Sequence, residues 1–105
     1  MNKYLYVFCY RTPRQAAQRE PDIAEESSEA VFIQAASPED ALAWGREIAE
    51  AFVAKLFPGG SPSWGKSNFS HWVESEPEKE YPAAILAGLP IVSIGNYPVF
   101  ASQSP

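Results

Sequence analysis

Apolar and polar positions change period several times along the chain, and each change marks an element. Residues 4–10 run Tyr-Leu-Tyr-Val-Phe-Cys-Tyr, an aromatic and β-branched stretch that predicts a strand. Tyr4, Tyr6, Phe8 and Tyr10 fall on one face, and Leu5, Val7 and Cys9 on the other. Both faces are apolar, which fits a central strand covered on each side or a strand whose tyrosine face meets a partner. Residues 30–35 predict a second strand, with Val31, Ile33 and Ala35 on one face.

The period then lengthens to that of a helix. Ser37-Pro38-Glu39-Asp40 supplies an N-cap hydroxyl, a proline at the first helical position and acids in the first turn. The helix is expected to reach residue 57, where Pro58-Gly59-Gly60 stops it. Ala41, Gly45, Ile48, Ala49, Phe52 and Leu56 form its apolar stripe, flanked by Leu42, Trp44 and Val53; Glu39, Arg46, Glu47 and Glu50 face away. Gly45 costs a helix about 1 kcal/mol relative to Ala. Its place on the stripe predicts a close approach of the helix to the sheet.

Weaker patterns complete the chain. Residues 11–28 hold Pro13 and Pro21 among polar side chains and read as a long connection, with a helical turn or two over 14–20. Residues 69–73 predict a third strand, residues 81–88 a short helix and residues 91–94 a fourth strand. Gly95-Asn96 reads as a hairpin turn into an edge strand over 97–100, where Pro98 is tolerated. The expected fold is α+β: one small domain over residues 1–100 and a tail over 101–105. Its sheet is mostly antiparallel, of four to five strands, with the long amphipathic helix across one face and a second short helix.

Composition narrows the classes of function. With 105 residues the chain is one small domain, and 46% hydrophobic against 20% charged residues excludes wholesale disorder. No apolar run approaches membrane-spanning length, and the N-terminal apolar stretch is too short for a signal peptide, so a cytoplasmic protein is expected. The lone cysteine, Cys9, excludes an internal disulfide. A net charge of −5 works against nucleic-acid and anionic membrane binding. The aromatic strand resembles the stacking face of RNA-binding sheets but lacks their glycine and basic spacing. Residues 1–19 carry only bases, residues 20–29 only acids.

Gly60 to Ser67 satisfies the phosphate-loop pattern G-x-x-x-x-G-K-[ST]. That chemistry needs a strand before the loop and a helix after it, the reverse of the order read here, and Pro62 removes a donor from the cradle. The match is read as coincidence. His71 is the only histidine, and no Cys/His spacing suits a metal, so no metal or other cofactor is expected. A Cys9–His71 dyad would lack the cationic setting that activates a thiol. No catalytic set is legible.

Two function classes remain. The first is a small non-enzymatic interaction domain, a regulator, inhibitor or immunity-type partner of another protein, itself expected to be a homodimer. Its surface would comprise Tyr4, Tyr6, Phe8 and Tyr10, expected on the sheet face opposite the long helix with little to cover them, and Trp64 from the glycine-rich loop. The second is a small-ligand or anion-binding protein or enzyme, with a cleft near Arg11, Arg14 and His71.

Overall fold

The computed structural model describes residues 2–17, 26–57, 59, 63–66 and 69–100. The expected tail over 101–105 and residues 18–25 of the long connection lie outside the described residues. The aromatic strand, β1 (Asn2–Tyr10), occupies the middle of a four-stranded sheet. Antiparallel β2 (Ser27–Ala35) flanks it on one side, with Tyr6 opposite Val31, and antiparallel β3 (His71–Glu74) on the other, with His71 opposite Phe8. Beyond β2 lies β4 (Ile91–Ser93), running parallel to it, so the order is β3-β1-β2-β4 and the sheet is mixed.

Before β2, a short helix α1 (Pro13–Ala16) closes the end of β1 with a capping box. The Thr12 hydroxyl accepts from the Gln15 amide, and the Gln15 side-chain carbonyl oxygen accepts from the Thr12 amide at 2.9 Å. The long helix α2 (Pro38–Leu56) begins on the Ser37 hydroxyl, which accepts from the Asp40 amide at 3.2 Å. Its buried residues are Ala41, Gly45, Ile48, Ala49 and Phe52 of the predicted stripe, with the flanking Val53 buried in place of Leu56, which is only partly covered. They pack on Tyr6, Phe8, Tyr10, Val31, Ile33 and Ala35. Aromatic edges fill this layer: Phe8 meets Phe52 and Trp64 edge-on at 5.6 and 6.1 Å, and Phe100 stacks on Phe52 at 5.1 Å.

The sheet's other face is also covered, by a segment that the pattern only half reveals. Helices α3 (Pro77–Glu80) and α4 (Ala83–Ala87) follow β3, and Tyr81, Leu86 and Leu89 pack on Leu5, Val7 and Phe32. Acidic α3 buries none of its own side chains, so the apolar pattern gives no sign of it. The expected hairpin after residue 94 does not form. Gly95, at a φ of 96°, completes a turn in which the Asn96 amide donates to the Ser93 carbonyl at 3.0 Å. The chain then runs as irregular backbone, and Phe100 is buried against α2. Pro98 has no amide to offer a fifth strand, and burying Phe100 draws the segment off the sheet.

Gly45 bears out its reading most directly. A Cβ there would lie 2.4 Å from the Tyr6 ring, inside any tolerable contact. Gly45→Ala should therefore destabilise the protein by about 1–3 kcal/mol although alanine is the better helix former. Gly88→Ala, with nothing closer than 3.7 Å to the added carbon, should be tolerated. Chemical denaturation of the two variants checks this; equal stabilities would contradict the close approach.

Candidate functional site

The register decides where each candidate residue goes. Tyr6 and Phe8 are fully buried, Tyr10 and Trp64 are 5% and 3% exposed, and Tyr4 packs against the edge of the same core. Of the expected interaction surface, Tyr6, Phe8, Tyr10 and Trp64 are therefore interior and Tyr4 is partly buried, because α2 packs on the aromatic face and not on the opposite one, with Trp64 and Phe100 completing the cover. That face no longer requires a second copy of the chain, nor does it offer its rings for base stacking. Tyr10 is further tied down by its hydroxyl, which donates to Glu29 at 3.4 Å; burial and the Glu29 charge push its pKa up to about 12. Cys9 points to the opposite face from Phe8, and so from His71, which rules out a Cys9–His71 dyad.

Where the glycine-rich loop is described, Trp64–Lys66 forms one turn of 3-10 helix between α2 and β3. Helix before and strand after is the reverse of a phosphate loop; the rest of that pattern lies outside the described residues. Glu50 anchors the turn, its carboxylate accepting from the Ser63 hydroxyl at 2.8 Å and from the Gly65 amide. Partial burial alone would raise the Glu50 pKa, but Ser63, the Gly65 and Trp64 amides and the Arg46 charge outweigh it and hold it below the usual carboxylate range. The Trp64 indole N–H donates to the Cys9 carbonyl at 2.8 Å, fixing the turn to β1.

Two concavities follow from this packing. The first, about 270 Å³, lies between α2, the turn and β3 and is lined by Arg46, Trp64, Gly65, Phe69 and His71. The Tyr6 hydroxyl reaches the His71 Nδ1 at 2.9 Å. Burial, only partly offset by Arg46, raises the Tyr6 pKa far above its ordinary value, so the hydroxyl keeps its proton. Burial and then the Arg46 charge lower the His71 pKa, favouring the neutral ring. Arg11 and Arg14 do not line this cavity, so His71 has Arg46 beside it in place of the two expected arginines. The helical spacing places Arg46 only on the polar face of α2; the signal for its role was the preceding Gly45, which draws the helix onto Tyr6.

The second is an open groove of about 530 Å³ lined by Asp40, Ala43, Trp44, Glu47 and Ile94. The four helix residues stand at i, i+3, i+4 and i+7, one stripe of α2 beside its buried one. Trp44 is held in place: its indole N–H donates to the Asn96 carbonyl at 2.9 Å and its ring lies 5.0 Å from that of Tyr97. Ile94, Tyr97 and Val99 on the same segment are 47%, 55% and 74% exposed. A third gap, beneath residues 97–100, holds only about 20 Å³, room for one water.

Among the described residues, no three His, Cys, Asp or Glu side chains gather as a metal site requires. No helix among them is long and apolar enough to cross a membrane. The fold and these two concavities define a small α+β domain with an acidic, tryptophan-floored groove and a separate cationic pocket. No protein-family model, curated protein or solved structure matches the chain, so its functional reading rests on geometry.

Because the folded-state pKa of Glu50 lies below its unfolded value, its contribution to stability is complete above the unfolded pKa and is lost as pH falls through the folded one. Denaturation midpoints measured from neutral pH downward should fall less steeply for Glu50→Gln than for the unaltered protein. Parallel acid profiles would show that Glu50 does not hold the turn in its ionised form.

Proposed function

We propose that this protein is a non-enzymatic interaction domain that binds a basic protein partner through the groove of Asp40, Trp44, Glu47 and Ile94, as a regulator or inhibitor does. The observation that carries the reading is the pairing, in one groove, of a fixed indole with two carboxylates one helical turn to either side of it. A lysine or arginine from the partner fits that arrangement, its aliphatic stem on Trp44 and Ile94 and its cation beside Asp40 and Glu47. Trp44 spends no freedom on binding, because Asn96 and Tyr97 already orient it.

The surrounding apolar residues Ile94, Tyr97 and Val99 extend the contact surface beyond one side chain. Net charge favours a basic partner over a second copy, since two chains of −5 would bring acid against acid at this groove. This reading keeps the protein-binding role anticipated from the sequence but moves it from the aromatic strand to the groove beside Trp44 and gives up the second copy.

A photo-crosslinking residue at exposed Ala43 should trap a protein of discrete mass and basic charge in the native cells. Asp40→Asn with Glu47→Gln should abolish the product, and Trp44→Ala should weaken it about tenfold or more. No product, an acidic one, or trapping indifferent to the two carboxylates would contradict the reading.

A further inference from the structure

The cavity between α2, the turn and β3 is independent of the groove and has the opposite electrostatic character. Arg46 lies beside the turn, yet among the described residues it makes no ion pair. Glu50, one turn further along the helix, feels the Arg46 charge but directs its hydrogen bonds to Ser63 and Gly65. Gly65 makes this arrangement sterically possible: a Cβ there would lie 2.6 Å from the Glu50 Oε1 and 3.1 Å from the Arg46 Nη2. The lack of a side chain at 65 therefore leaves room for the guanidinium and the Glu50 carboxylate beside the turn.

Across the cavity stands His71. Its Nδ1 is occupied by the Tyr6 hydroxyl, so Nε2 is the ring nitrogen left for another partner. Its ring is held edge-on to Trp64 at 5.1 Å and to Tyr6 at 5.7 Å. The exposed Arg46 guanidinium and the fixed His71 ring, both able to donate, thus line one concavity whose other side-chain walls, Trp64 and Phe69, are aromatic.

We propose that this cavity binds a small oxyanion, a carboxylate or phosphate group, with Arg46 as its charged fork and His71 Nε2–H as its second donor. The planar guanidinium matches either group with two parallel hydrogen bonds, and an imidazole next to it strengthens as a donor when an anion arrives. Trp64 and Phe69 provide an apolar wall for the body of a molecule carrying that group. The turn, β1 and α2 hold the site before the ligand enters, because Glu50 and the Trp64 indole fix the turn at two points.

His71 is the only histidine, so its imidazole resonances report the site without ambiguity. Those resonances are followed by NMR across pH, with inorganic phosphate in one series and acetate in another, each up to about 50 mM. Binding should move the His71 titration to higher pH, saturably, because a bound anion stabilises the imidazolium. The series with the tighter dissociation constant distinguishes phosphate from carboxylate as the recognised group. Arg46→Gln should weaken that binding about tenfold or more. Should that variant fail to fold, Arg46→Lys, which keeps the charge and loses the fork, must weaken binding in the same measurement. No saturable shift with either anion, an equal shift in Arg46→Gln, or undiminished affinity in Arg46→Lys overturns the proposal. Trp44→Ala should leave the titration unchanged, which separates this site from the protein-binding groove.

Discussion

The contact between the Tyr6 ring and the bare backbone of Gly45 sets the geometry on which the remaining structure depends. Helix and sheet usually stand off by the thickness of two interleaved side-chain layers. Here one layer is missing at the crossing point, and an aromatic ring fills the space a helix side chain would take. The helix gives up about 1 kcal/mol of intrinsic propensity at that position and gains the burial of a whole tyrosine ring. The approach also carries the Tyr6 hydroxyl to the far rim of the core, where it meets His71. Moved outward by one side chain, α2 would leave Arg46, the turn and β3 without a common cavity.

From that contact the two faces of the sheet acquire different roles. The aromatic face is closed by one long helix with help from Trp64 and Phe100, two rings delivered from outside the long helix and the strands. The aliphatic face needs less, and the short α3–α4 segment with Tyr81, Leu86 and Leu89 covers it. With both faces closed, surface chemistry is displaced to the flanks of α2. One flank carries carboxylates and a fixed indole; the other carries a guanidinium and a histidine. An acidic chain thereby presents one locally cationic concavity, which net charge alone does not foretell.

What could be read from the sequence followed local rules. The Ser37-Pro38 start, the stripe from Ala41 to Phe52 and the alternation of residues 4–10 each rest on local pattern, and all three reappear in the structure, with only Leu56 of the expected stripe left partly covered. Gly45 was legible because a glycine within a buried helical stripe, costly to the helix itself, marks the point where a neighbour comes closest. The cover of the aromatic face was not, because the pattern of a helix does not say which sheet face it takes, and Trp64 and Phe100 dock from far along the chain. The hairpin failed for the same reason: the local turn signal at Gly95 was sound, but Phe100 had a better place against Phe52. The pocket was half legible. His71 was a candidate from its uniqueness, whereas Arg46 joined it only through the three-dimensional crossing of α2 and β3.

Whether the tyrosine face is internal is settled most directly by proton NMR of the intact protein. Ring contact predicts strong nuclear Overhauser effects between the Gly45 α-protons and the Tyr6 ring, with at least one α-proton shifted upfield by the ring current. Absence of those effects, together with Tyr6 ring protons relaxed by a dissolved paramagnetic probe, would contradict the account. The aromatic strand would then once more be a surface in need of a partner.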